Sequence, residues 1–358
     1  MKKIVSALLC VILIFAMFTG CSKKEAQTLM EKDGKIKIGV LYLAETEDVM
    51  EAKKGFEEGI KSLELSQKIE IIYSDAKGNG KILEKNSSDI FDKCDIVVTI
   101  GEEASITASR TRGRENAKKP IFFIGVNNPV TTSLMSNTIT PSKNITGVMS
   151  NVTPDFIFSY AFEINNGFRP DGNRPIRKVG IIYNTSEINP VYEINELKDY
   201  LNSNSIKYFE GIIANGFDAQ QMSMKIVGEK IPKLDGSGET EEARTIFVIS
   251  GDSVSLKSLE SINQVVEKTD SYALVLGEAE LPGNKFYNVI PDYFAMGYQC
   301  PSLINDYING IEMAAISAES SLNYKLFGLD EEGNTIEITG EANDTTEENT
   351  QEENAQEQ

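Results

Sequence analysis

The side chains of this sequence best suited to chemistry are carboxylates and carboxamides that stand just after apolar runs. Gly101-Glu102-Glu103-Ala104-Ser105 follows one such run, and Val126-Asn127-Asn128-Pro129 the next. Later come Tyr183-Asn184-Thr185-Ser186-Glu187-Ile188-Asn189-Pro190, Ser250-Gly251-Asp252-Ser253, Gly277-Glu278-Ala279-Glu280 and Pro291-Asp292-Tyr293. An Asn side chain both donates and accepts, which suits recognition of a polar ligand. Asp252 suits an ammonium group, and Tyr293 could stack on a flat ligand or simply pack. Each position also has a structural alternative. Glu102 and Glu103 either cap a helix dipole or send one carboxylate to a ligand. Asn127 and Asn128 either meet a ligand or form an Asx turn before Pro129. Capping of a helix starting at Pro190 explains one or two of the polar groups at 184–189, not all.

No catalytic set accompanies these groups. The chain has no His, which removes His-activated nucleophiles and His-ligated metals. It has neither a Gly-x-Ser-x-Gly elbow nor a Gly-x-x-x-x-Gly-Lys phosphate loop. Cys94 and Cys300 read as small buried residues, with no pairing indicated. No metal and no cofactor is called for, and the expected chemistry is recognition without turnover.

The elements that must position these residues alternate. Apolar strands are expected at 35–43, 69–73, 95–101 and 121–125, with helices at 48–64, 81–91 and 102–114 between them. The segment 127–152 breaks the rhythm. It restarts at Thr153-Pro154-Asp155, a cap followed by Pro at the first helical position. Strands near 177–183, 206–211, 245–249, 272–277 and 286–290 then alternate with helices near 190–202, 218–231, 255–268 and 293–309. Such alternation predicts an α/β fold: two doubly wound parallel-sheet, Rossmann-like lobes, the second starting near residue 151. Ligands of such sheets sit outside the carboxyl ends of the strands. Two lobes side by side would face those ends across a cleft.

The 358 residues, 41% hydrophobic and 25% charged, suffice for two cores. A formal net charge of −19 argues against nucleic acid as a partner. The two ends are expected to lie outside the fold. Lys2-Lys3, the apolar run Ile4 to Phe18 and the small residues after it predict a secretion signal over 1–20. Phe18-Thr19-Gly20-Cys21 resembles a bacterial lipobox, which implies lipidation of Cys21 and a polar tether over 21–34. Two acyl chains anchor stably where one does not, so the body would lie outside the cytoplasm, held to the cell membrane. From Asp330 onward there are eleven acidic residues and no basic one, so 329–358 is expected to be a disordered, solvated tail.

Lys37-Ile-Gly-Val-Leu41, Lys54-Gly-Phe-Glu-Glu-Gly59, Ile124-Gly-Val-Asn-Asn-Pro-Val130, Asn144-Ile-Thr-Gly-Val148, Lys178-Val-Gly-Ile-Ile-Tyr-Asn184 and Gly297-Tyr-Gln299 together resemble the substrate-binding lipoproteins of ABC transporters. These have type I periplasmic-binding-protein architecture, and some bind tryptophan or other aromatic amino acids. The resemblance implies two hinged lobes that close on a small solute, with an ABC permease and ATPase as partners. It implies that the last helix returns to the first lobe, giving 35–150 plus 281–328 against 151–280. It implies ligand contacts at 101–105, at Asn127 and Asn128, at Asn184, Thr185, Ser186 and Glu187, at Ser250 to Ser253 with Asp252 among them, and at Asp292. Glu278 completes the ring as a strand-end residue. The family often has Thr-Pro-Ala-Ala where this chain has Gly101-Glu102-Glu103-Ala104; a ligand carboxylate near Glu102 would be repelled, which points to an amino acid in another orientation or to a cationic solute. A surface sensor of the same fold is the alternative, and a lipid-anchored hydrolase a distant third.

Overall fold

The computed structural model describes residue 29 and residues 34–169 and 172–338. The expected signal segment, Cys21, nearly all of the tether and the tail beyond 338 lie outside these residues. Among the described residues no helix is long and apolar enough to cross a membrane.

The first lobe is β1 (Ile36–Tyr42), α1 (Glu47–Ser62), β2 (Ile69–Asp75), α2 (Gly80–Lys93), β3 (Ile96–Ile100), α3 (Glu102–Thr111), β4 (Ile121–Val126) and β5 (Ile145–Met149). The second begins with α4 (Pro154–Asn165), β6 (Lys178–Tyr183), α5 (Ile188–Ser203), β7 (Lys207–Ile212), α6 (Gly216–Gly228), β8 (Ile231–Pro232) and β9 (Thr240–Glu241). It continues through β10 (Thr245–Ile249), α7 (Ser253–Leu256), α8 (Leu259–Val266), β11 (Ser271–Leu276) and β12 (Phe286–Pro291). The chain ends with α9 (Tyr293–Ile308), β13 (Glu319–Ser320), β14 (Tyr324–Leu329) and β15 (Thr335–Glu337).

One sheet has the order β13-β5-β4-β3-β1-β2 and is parallel throughout. The other runs β15-β14-β12-β11-β10-β6-β7, with β14 and β15 antiparallel at its edge. The central strands β3, β4, β6 and β10 are buried at every residue, as expected of strands covered on both faces. Phe56, Ile38, Val98 and Phe122 fill one face of the first sheet, and Leu83, Phe91, Val97 and Phe123 the other. Ile181, Leu197, Val248 and Leu274 fill one face of the second sheet, and Phe247, Ile249, Ile262 and Phe286 the other. Lys178 is buried on β6; its Nζ donates to the Val227 and Glu229 carbonyls, 2.9 Å each, at the end of α6.

Several expectations need correcting. The segment 127–152 contains β5, a full strand of the first sheet. Residues 281–328 do not all return to the first lobe: α9 and β13 do, whereas β12 and β14 belong to the second sheet. The reason is that β12 extends the parallel ladder from β11, and β14 pairs antiparallel with β12. The expected disordered tail is also shorter at its start, because Thr335–Glu337 pairs with Phe327–Leu329 and closes a hairpin.

Among the described residues the chain therefore crosses between the sheets three times: after β5, after β12 and after β13. The crossings are stitched together. Tyr324 Oη donates to the Asn151 carbonyl (2.6 Å), and Asn323 Nδ2 donates to Asp292 Oδ2 (2.8 Å). Ser321 N donates to the Met149 carbonyl (3.1 Å).

Helices α1 and α9 cover one face of the first sheet and touch through glycines. A methyl group at Gly55 would collide with the Phe294 carbonyl, and one at Gly297 with the Ala52 carbonyl. At Gly59 it would lie 2.5 Å from the Tyr298 carbonyl oxygen. Backbone cannot retract as a flexible side chain can, so the helices would have to part. Gly297→Ala is expected to destabilise the first lobe by about 2 kcal/mol, as overpacking does. Urea unfolding measures this; a midpoint equal to that of the parent would contradict the close packing.

Candidate functional site

The strand ends of both sheets meet as the doubly wound arrangement requires. Asn127 follows β4 and Ser150 follows β5; Gly251 follows β10 and Gly277 follows β11. With Pro291 at the end of β12 and with Pro190 and Glu193 on α5, they line a cavity of about 160 Å³ between the lobes. That is below the usual ~300–1,000 Å³ of ligand pockets. The lobes here touch one another across it. Asn127 Nδ2 donates to Glu193 Oε1 (2.6 Å), and Thr131 Oγ1 donates to Asn189 Oδ1 (2.5 Å).

Glu193 is 9% exposed. Burial pushes its carboxyl up to about 7, against the Asn127 hydrogen bond; Glu196 adds to the rise and a Val152 backbone hydrogen bond opposes it. Asn127 Oδ1 and Ser250 Oγ are buried and have no partner among the described residues. The cleft thus offers a buried acid that titrates near neutral pH and an unpaired amide acceptor, a set able to hold a small polar solute between two moving bodies.

The residues expected from sequence separate into groups. Asn127 lines the cavity. Glu278 lies in a neighbouring cavity, together with Ala279 and Glu280. Glu102 and Glu103 form the first turn of α3, beside Ala104, after Gly101 at a positive φ of 87°. Burial raises the Glu102 carboxyl, but none of these residues lines the cavity.

Asn128 is committed to its own turn, its Oδ1 accepting from Val130 N and Thr131 N. Asn184 donates Nδ2 to the Ile213 carbonyl and accepts from Ser186 N through Oδ1. Glu187 accepts from Ser253 N (2.9 Å), and hydrogen bonding from the Ser253 side chain and then its backbone holds the carboxyl low. Thr185 and Ser186 are exposed. Asp252 and Asp292 are N-caps of α7 and α9. Asp292 additionally ties two hinge crossings together through Asn323. Tyr293 packs over Gly125, where a Cβ would lie 2.8 Å from its ring.

Sequence reasoning missed Glu193, Ser150 and Pro190. A signal for Glu193 was present: on α5 it lies four residues before Leu197, in line with the apolar stripe of Ile194, Leu197 and Leu201. An acid on that stripe is buried against something.

Comparison with known proteins agrees with this geometry. A profile of the family described as ABC transporter substrate binding protein matches residues 37–231. A protein named tyrosine-binding protein from Clostridioides difficile is 24% identical over 321 residues, covering 86% of this chain and 85% of that one. The ligand-free, open structure of a substrate-binding protein with adhesive properties from Clostridium difficile superposes with a TM-score of 0.61 at 19% identity, over 82% of this chain and 92% of that one. An arabinose-binding protein from Geobacillus stearothermophilus gives 0.51 at 9% identity, over 82% and 96%. The architecture is the type I periplasmic-binding-protein fold.

Proposed function

Because the chain belongs to the family of ABC transporter substrate-binding proteins, we propose that it captures an amino acid or amino-acid derivative between its lobes and delivers it to a membrane permease with its ATPase. Membership makes it a binding protein rather than an enzyme. The observation that carries the reading is the pairing of Asn127 with Glu193, from opposite lobes, in a cavity lined by strand ends of both sheets. The ligand's α-ammonium would take the place of the Asn127 amide as donor to Glu193, and Asn127 Oδ1 would accept a second of its protons. Opening of the lobes would widen the cavity for entry, and closure would exclude water and strengthen those contacts. Ligand favours the closed lobes by its differential affinity, which is the state a permease would read. The tyrosine bound by the Clostridioides relative makes an aromatic amino acid the first candidate. Lipidation at Cys21 would hold the protein at the outer face of the membrane, where the permease lies.

A thermal-shift panel of the amino acids on the full chain tests this. A cognate ligand at a hundredfold over Kd is expected to stabilise by about 2.7 kcal/mol. Asn127→Ala and Glu193→Ala should each weaken it by about tenfold or more. A panel with no stabilising member, or a tight ligand indifferent to both variants, would overturn the assignment.

A further inference from the structure

A second cavity, of about 570 Å³, opens beside the cleft and shares only Pro291 with it. Its size is that of a small-molecule site. Its walls come from both lobes. Glu47, Asp48 and Glu51 project from the first turns of α1, and Glu278 and Glu280 from the loop after β11. Against these five carboxylates, Lys325 of β14 is the single cation among the described lining residues. The crowding is felt: burial raises the Asp48 carboxyl, Glu278 and Glu47 raise it further, and Lys325 offsets part of that.

A second observation is independent of these charges. Asn288 of β12 also lines the cavity and is 6% exposed. Its Nδ2 donates to the Ala279 carbonyl (2.7 Å), which fixes the amide, and its Oδ1 has no partner among the described residues. A buried acceptor without a donor costs stability. The carboxylates likewise only accept. Phe327 and Tyr293 add apolar side chains to the lining, which suit the methylene stem of an organic cation. The cavity lacks spaced donors with positive charge. A metal ion would need carboxylates converging on one point, and among the described residues no group of three or more acids converges so.

We propose that this cavity binds an aliphatic polyamine, its separate ammonium groups shared between the acids of α1 and those after β11, with one of them donating to Asn288 Oδ1. The site is distinct from the cleft. Because its acids belong to different lobes, an occupant bridges them.

Isothermal titration of spermidine into the full chain, at fixed ionic strength, tests the proposal. Saturable binding is expected that magnesium chloride of equal charge does not reproduce. The double variant Asp48→Asn/Glu278→Gln should weaken it by about tenfold or more, as loss of charge-assisted hydrogen bonds does. Lys325→Gln, which removes the competing cation, should tighten it. Absence of saturable heat, equal binding of magnesium, or unchanged affinity in the double variant would overturn the proposal. The amino-acid panel reads the cleft and this titration reads the second cavity, so failure of one is distinguished from failure of the other.

Discussion

Asp252→Ala is expected to destabilise the second lobe by about 4 kcal/mol, the sum of a lost cap and of buried donors left unpaired. The carboxylate is 0% exposed and fully engaged. Oδ1 accepts from Val254 N (3.1 Å) and Ser255 N (2.8 Å); Oδ2 accepts from Asn184 N (2.9 Å) and Ser255 Oγ (2.7 Å). It thereby starts α7 and also fastens the loop after β6 to the loop after β10. Bonds to an ionised acceptor are the stronger kind, and Ser255, itself buried, would lose both of its bonds to Asp252. Urea unfolding followed by circular dichroism measures the loss. Asp252→Asn keeps an acceptor and should recover part of it. A stability within about 1 kcal/mol of the parent would show that the carboxylate is not holding the two loops. In that case the alternative role, as partner of a ligand ammonium, would return.

The second large effect is a pH dependence centred on Glu193. Its carboxyl in the folded protein is raised to about 7 from an ordinary 4.5. The folded state therefore holds a proton that the unfolded chain releases. The stabilisation is fully present below pH 4.5, declines as pH rises through 7, and is absent above. About 2.5 pH units at 1.36 kcal/mol each give a swing of about 3 kcal/mol. Glu193→Gln cannot titrate and can still accept from Asn127, so its stability should vary less by that amount between pH 5 and 8. Paired denaturation curves at these two pH values suffice as a measurement. If parent and variant change in parallel, Glu193 is not protonated in its buried position. The same titration bears on binding: an ammonium in the cleft would favour the charged carboxylate and release the proton, so ligand uptake near neutral pH should acidify a weakly buffered solution.

Most of the fold was legible because it is local. Ile121-Phe-Phe-Ile and Thr245-Ile-Phe-Val-Ile are too apolar and too short for anything but strands covered on both faces, and that is what they are. Ile145–Met149, a strand missed within the first lobe, contains Thr146 and Gly147 and is set in a segment rich in Asn, Ser and Thr, so its neighbours concealed its pattern. The edge strands β14 and β15 were hidden for another reason. β15 is exposed throughout and forms by pairing with β14, whose place is set by β12.

The polar side chains after the strands stood out in the sequence, yet residue type could not sort them. Asp252 and Asp292 have the composition of ligand partners and of helix caps alike, since both roles need an acceptor beside a run of free N–H groups. Only the surroundings show four hydrogen bonds on one and a hinge tie on the other. Glu193 shows the converse. It sits inside a helix, where no strand-end rule would look, and it becomes part of the cleft because the first lobe places Asn127 against it.

By itself, then, the sequence determined the α/β class, the two cores and the absence of a catalytic His, because periodicity and composition act within a dozen neighbouring residues. The tertiary structure alone decided which carboxylates cap, which tie the hinge and which line a cavity. Those roles depend on distances between residues far apart in the chain, and burial and pairing, not residue type, set what a carboxylate does.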